Sequence, residues 1–472
     1  MERLSGLDAA FLYLETPSLH MHVAMTAIFD PSTMPGGYSF QRFREVVQER
    51  LHLVPPFRRR AIEVPFGLGH PVWIEDPNFD LDYHLRRRAV PSPGGPRELA
   101  ELAGDVCSRP LDRTRPLWEM YIVENLADGN IGLIARMHHA TIDGVSGAEL
   151  MVHLFDFEAD PAPKPLPEQA WEPERVPSDL ALVAQALPEL LARPVRMAKV
   201  IPKTAQALLT VGRRRRDRPV AAASGLLNAP RTSFNVAITP HRKQAFASLP
   251  LGQVKEVKNA FGTTVNDVVL AICTGALRRY LAERDELPDR PLVATVPISV
   301  HTEDSKGRPG NAVSAMFTTL PVELPDPVER LLAIHESTKS AKETHNAVGA
   351  DMLRNWAEFA PPSVFALAAR LYSSSNLANR HRTVQNLVIS NVPGAPFPLY
   401  VAGAKLVAGY PMGPVMEGAA LNVTCISYMD NIDFGLHGGR EAIPDLWSIA
   451  DHLETSLAEL EKAMRDRATS PS

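Results

Sequence analysis

The chain has 472 residues, too many for one ordinary hydrophobic core, and so predicts two domains or one large two-lobed domain. With 45% hydrophobic and 22% charged residues it is a folded globular chain rather than a disordered or fibrous one. Its 49 basic and 54 acidic residues leave a net charge of -5, which excludes a global electrostatic footprint for nucleic acid. Three widely spaced cysteines, Cys107, Cys273 and Cys425, exclude a disulfide scaffold and any CxxC metal site, so a reducing, cytoplasmic compartment is expected. The start of the chain lacks the apolar core of a signal peptide. No uninterrupted apolar run reaches the roughly 18 residues of a membrane span, so any contact with lipid is expected to be peripheral.

In chain order, residues 1–158 alternate short strand-like runs, such as His22 to Phe29, with helical patterns such as Phe40 to Leu53, and predict a mixed α/β lobe. Residues 159–230 form a proline-rich linker followed by a basic amphipathic crossover segment. Prolines crowd 159–177, and 179–211 carries Leu, Ala and Val at helical spacing before Arg213 to Arg216 and Arg218. That segment is read either as a crossover helix ending in a solvated loop or as a docking element for anionic membrane or a lipid droplet. Residues 231–472 predict a second α/β lobe, with strands at Leu292 to Val300, Asn386 to Ser390, Leu421 to Tyr428 and Ile432 to His437, and a closing helix near Leu446 to Met464. No internal repeat is visible.

The chemistry concentrates in His138-His139-Ala140-Thr141-Ile142-Asp143-Gly144. Ile131 to Met137 reads as a buried strand running into the two histidines, and a period of two places His138 and His139 on opposite faces if the strand extends that far. One histidine then faces a cavity while the other is packed or hydrogen-bonded. Ser146-Gly147-Ala148-Glu149 has the form of a capping box, which frees Asp143 either to orient a ring or to hold the turn. Three other readings stand beside a histidine base. A metal site is poorly served by histidines on opposite faces, a purely structural pair remains open, and a protein nucleophile finds no GxSxG and no suitable cysteine.

Other blocks accompany the motif in fixed order: Leu4-Ser5 with Asp8, Phe11-Leu12 and Glu15; Pro110-Leu111-Asp112 with Arg115-Pro116-Leu117-Trp118; Val265-Asn266-Asp267; Gly310-Asn311; and Ser390-Asn391-Val392-Pro393-Gly394. In these blocks the sequence resembles the bacterial wax ester synthase/diacylglycerol acyltransferase family. The resemblance implies an α/β fold of mixed sheets in two chloramphenicol-acetyltransferase-like lobes with an active-site tunnel between them. It also implies acyl-CoA-dependent transfer to diacylglycerol or a long-chain alcohol, with acyl-CoA as co-substrate and no cofactor or metal. His139 would be the general base, Asp143 the loop support and His138 structural. Two positions depart from the family pattern, His301 after Pro297-Ile298-Ser299-Val300 and Ala395 after Pro393-Gly394.

Beside that resemblance, Asp267 is read as a cap of its helix through Thr264, Asn266 as a possible donor to a substrate oxygen, Ser390 and Asn391 as tunnel-lining, and Trp118 as a structural anchor. The small residues between Val401 and Leu421 fit either room for an alkyl chain or a tight strand crossing. The rival functions are a same-fold acyltransferase with another acceptor, a polyketide hydroxyl or an amine, and a non-catalytic lipid-droplet-binding protein.

Overall fold

A computed structural model of the chain describes residues 1–141, 153–162, 164, 171, 173–188, 190–191, 229–299, 313–348, 362–381 and 383–469. The first part of the chain supplies β1 (Glu2–Arg3), β2 (His22–Asp30), β3 (Arg59–Ile62), β4 (Val72–Glu75), β5 (Leu85–Ala89), β6 (Trp118–Glu124) and β7 (Ile131–His138). Its main helices are α1 (Gly6–Leu14), α2 (Phe40–Arg50) and α3 (Pro96–Cys107), and α4 (Asp179–Pro188) follows. The second part supplies β8 (Arg242–Pro250), β9 (Leu292–Ser299), β10 (Val313–Leu320), β11 (Leu387–Val392), β12 (Tyr400–Val401), β13 (Ala404–Met412), β14 (Leu421–Tyr428) and β15 (Asn431–Gly439). Its helices are α5 (Leu251–Phe261), α6 (Val265–Ala282), α7 (Pro327–Val348), α8 (Pro362–Ser374) and α9 (Leu446–Thr469).

These elements follow from local chemistry. In α2, Phe43, Val46, Val47 and Arg50 recur on one face and are buried, and the Ser39 hydroxyl accepts from the Arg42 N–H at the first turn. Gly262, at φ +67, ends α5 in the left-handed region that glycine adopts without penalty. Thr264 and Asp267 then start α6 with reciprocal capping bonds, and α6 buries nearly its whole circumference at the centre of the largest core cluster. In that cluster α6 packs beside α9 against the sheet of β8, β14 and β15.

Two six-stranded mixed sheets organise the molecule, in the orders β12-β13-β2-β7-β6-β5 and β10-β9-β11-β14-β15-β8, with a small third sheet β1-β4-β3. The strands expected at Leu292, Asn386, Leu421 and Ile432 all lie in the second sheet, and the closing helix runs to Thr469. The first sheet is not made from the N-terminal part alone: β13 pairs antiparallel with β2, from Lys405 opposite Asp30 to Met412 opposite Ala24. The segment around Val401 to Leu421 is thus a tight strand crossing, one of the two readings of its small residues. Where β13 passes the second sheet, a Cβ placed on Gly435 would lie 2.1 Å from the Pro411 carbonyl oxygen. The Asp433 carboxylate accepts from the Gly409 N–H (2.9 Å) across the same contact.

The described parts of the linker pack on the N-terminal lobe. Trp171 donates from Nε1 to Glu75, Glu174 pairs with the N-terminal amine, and Leu182 and Ala186 of α4 join Val64, Val72 and Ile74 in a small core. The anchor role of Trp118 is also visible: its Nε1 donates to the Phe57 carbonyl (2.8 Å), and its ring stacks between Phe57 (4.3 Å) and His84 (4.6 Å).

Gly435→Ala is expected to cost about 3 kcal/mol or more, because the new methyl meets backbone that cannot move aside. Gly409→Ala, whose Cβ meets only Met25 Sδ at 3.9 Å, is expected to stay within about 1 kcal/mol of the parent. Urea-unfolding midpoints of the two variants check the contrast.

Candidate active site

The strand β7 ends at His138, and a 3-10 turn, His139–Thr141, follows at once. Four hydrogen bonds fix this junction. The His138 N–H donates to the Leu117 carbonyl and the His139 N–H to the Met21 carbonyl, both at 2.9 Å. The Thr141 hydroxyl donates to the His138 carbonyl (2.6 Å), and the Ala140 N–H donates to His138 Nδ1 (3.1 Å). His138 points inward and is fully buried, whereas His139 is half-buried, with its ring 4.2 Å from that of Phe11 on α1. The two side chains therefore part, but β7 stops at His138 and His139 belongs to the turn, so the turn rather than strand alternation separates them.

The environment of His138 fixes its protonation. Burial, with Arg113 and His139 nearby, pushes its pKa down to about 3, so the ring is neutral at ordinary pH. Because Nδ1 accepts from Ala140, the single proton resides on Nε2. Nε2 faces Glu15 Oε2 at 3.8 Å. Burial raises the Glu15 carboxyl to about 7, outweighing the opposing pull of Arg113, whose Nε lies 3.6 Å away. Glu15 caps the C-terminal end of α1, the helix that also carries Phe11, so one short helix supplies both the neighbour of His138 and the ring against His139. Glu15 stands in the first sequence block, but only its burial gives it this role.

A buried polar layer lies behind this strand end. His22 on β2 sits opposite His138 on β7, with ring centroids 6.4 Å apart, and His20 lies 5.3 Å from His22. Burial holds His22 well below the usual imidazole range. From the second sheet, buried Arg242 donates to the Ser18 and Thr239 carbonyls, and Gln244 donates to Cys107 Sγ (3.2 Å) while accepting from Thr26 (3.3 Å). The alternation His20-Met21-His22 before a strand was the sequence signal for this layer.

The remaining sequence candidates fall elsewhere. Asn266 is on the first turn of α6, half-buried. Asp267 beside it is a cap, as expected, and does more: its carboxylate accepts from the Thr338 hydroxyl (2.8 Å) and meets His335 Nδ1 (2.8 Å), tying α6 to α7. Ser390 and Asn391 lie near the end of β11, half-buried, and the Asn391 side-chain oxygen accepts from Cys425 Sγ (3.5 Å). The structure thus brings His138, His139, Glu15 and Phe11 together where the end of β7 meets α1, and places Asn266 on α6 and Ser390 and Asn391 on β11 of the second sheet. Asp143, the capping box at Ser146, Gly310-Asn311, His301 and the run Arg213 to Arg216 lie outside the described residues. Among the described residues no three His, Cys, Asp or Glu side chains converge as a metal site.

Comparison with known proteins decides the family. The wax ester synthase/diacylglycerol acyltransferase catalytic domain matches residues 4–269, and the C-terminal domain of the same family matches 309–461. The chain belongs to this family. A Mycobacterium tuberculosis protein bearing the name of a diacylglycerol O-acyltransferase is 41% identical over 470 residues, covering 99% of this chain and 91% of its own. Another from that organism is 36% identical over 480 residues, covering 99% of both. The solved wax ester synthase/diacylglycerol acyltransferase from Marinobacter aquaeolei superposes with a TM-score of 0.68 at 31% identity, over 98% of this chain and 100% of that one. The first condensation domain of the calcium-dependent antibiotic synthetase, at 14% identity and a TM-score of 0.58 over 99% and 97% of the two chains, shares the fold. The two-lobed acyltransferase fold and an acyl-CoA-dependent acyltransferase activity follow from membership.

In this acyltransferase Glu15 gives a pH signature. Its folded pKa lies above the usual 4.5, so the folded state keeps a proton that the unfolded chain releases, and stability falls as pH rises from about 4.5 through about 7. The full loss is about 3 kcal/mol. Glu15→Gln, neutral at every pH, is expected to flatten that part of the stability profile, measured as urea midpoint against pH.

Proposed function

We propose that this acyltransferase uses His139 as its general base to transfer an acyl group from acyl-CoA to the hydroxyl of diacylglycerol or of a long-chain alcohol. The observation that carries this is the division of the pair: His138 is fully buried and neutral, and His139 is the more exposed of the two, on a turn held by four hydrogen bonds. A base must be rigid and accessible together. The relatives' names point to the same acceptor class.

Neutral His139 takes the hydroxyl proton as the alcohol oxygen attacks the thioester carbonyl carbon. The tetrahedral intermediate collapses, the C–S bond breaks, and the CoA thiolate leaves with the proton that His139 returns. No covalent acyl-enzyme forms and no cofactor is needed. Asn266, Ser390 and Asn391 are assigned to the substrate path, a tunnel between the lobes, and Asp143 to support of the histidine loop. The acceptors are poorly soluble in water, which favours work at a membrane or lipid-droplet surface from the cytoplasmic side. Among the described residues no single helix is long and apolar enough to cross a membrane.

His139→Ala is expected to lower ester formation about 10²- to 10⁴-fold with the melting temperature unchanged. His138→Ala is expected to lower the melting temperature, since it empties a buried site and frees the Ala140 N–H. Product analysis with labelled acyl-CoA and a mixed panel of diacylglycerol, long-chain alcohol and amine acceptors tests the substrate class. Transfer to the amine alone, or retained activity in His139→Ala, would sink the assignment.

A further inference from the structure

Three adjoining elements turn apolar side chains outward, exposed among the described residues. On α8, Val364, Leu367 and Leu371 recur at helical spacing and are each more than half exposed. The turn Pro65–Gly67, which packs against α8, holds Phe66 91% exposed at φ +58. A bulky side chain in the left-handed region is strained. Its flank, Gly69, lies so close to α4 that a Cβ placed on it would sit 3.2 Å from the Ala186 Cβ, and α4 presents Leu180 (83% exposed) and Leu187 on the face away from its buried Leu182 and Ala186.

The charges on α8 and the segment after it are basic, while α4 begins with the exposed Asp179. Between residues 362 and 381 the charged side chains are Arg370 and Arg380, both exposed, and Arg3 donates to the Gln185 carbonyl on α4. The surface is also continuous with the active site. Phe365, on the inner side of α8, meets Tyr13 of α1 edge-on at 6.4 Å, and Thr16 donates to Ser373. One residue pair away on α1, Phe11 covers His139.

We propose that α8, the Phe66 turn and α4 together form the face on which this enzyme docks to an anionic lipid surface, with Phe66 as the inserted wedge and Arg370 and Arg380 at headgroup level. Apolar residues flanked by arginines fit an interface of acyl chains under phosphate groups. The proposal rests on the lipid-acceptor reading above: an acceptor dissolved in the lipid phase then enters beside the helix that carries Phe11.

The test is sedimentation of the full-length protein with vesicles of phosphatidylcholine and phosphatidylglycerol, without acyl-CoA or acceptor. The triple variant Phe66→Ser, Leu367→Ser, Leu371→Ser is expected to lower vesicle partitioning about a hundredfold or more, since each buried side chain of this size is worth about tenfold. The control Leu332→Ser, Val407→Ser removes exposed apolar residues from other surfaces and is expected to leave partitioning intact. Circular dichroism and melting temperature verify that both variants fold. Activity of the triple variant on a water-soluble short-chain alcohol should persist while activity on emulsified diacylglycerol falls. Equal binding by the triple variant and the parent, an equal loss in the control, or a change confined to self-association in light scattering would each overturn the proposal. His139→Ala should bind vesicles as the parent does, so a failure of the catalytic reading is separable from a failure of this one.

Discussion

The architecture depends on one close approach of backbone to backbone. β13 lies in the C-terminal part of the chain, yet it completes the sheet that ends in His138 by pairing with β2. To do so it must pass the second sheet at a distance that admits no side chain at position 435. The Asp433 carboxylate, buried and raised in pKa by that burial, remains tolerable there because Gly409 N–H and the Ser248 hydroxyl (2.7 Å) are aimed at it. The crossing places β2, and so the Met21 carbonyl that holds His139, under the control of residues nearly four hundred positions later in the chain.

The same economy appears at the histidine turn. Neither the strand nor the turn is unusual in itself, but sealing His138 fixes its tautomer and makes it a structural acceptor for the next turn residue. Glu15 then faces its Nε2 with its carboxyl raised to about 7 by burial, so it carries a proton part of the time near neutral pH, and Arg113 balances the charge when it does not. Desolvation thus sets the state of His138, while His139, one residue on, stays half-buried.

Much of this was legible from sequence because it is local. The strand ending at His138 and the Thr264 to Asp267 cap follow from spacing within a few residues, and the anchor role of Trp118 from its residue type alone. What was not legible is long-range. His335 and Thr338 reach Asp267 from 68 and 71 residues away, and no local pattern announces that β13 belongs to the first sheet rather than the second. Glu15 could be noticed but not understood, since a carboxyl's pKa follows from what surrounds it in space. The contrast between the two faces of α4, apolar on both, likewise needed the buried partners of Leu182 and Ala186 to show which stripe is left over.

Arg242 limits how the protein can move. Its guanidinium leaves the second sheet to donate to the Ser18 carbonyl just before β2, and burial lowers its pKa to about 10. A hinge that parted the lobes here would strand a buried cation away from its acceptors, a penalty of about 3–5 kcal/mol by analogy with broken buried pairs. Clamshell opening at this point is therefore a costly motion, so the start of β8 and the segment just before β2 act as one joined element rather than as two sides of a hinge.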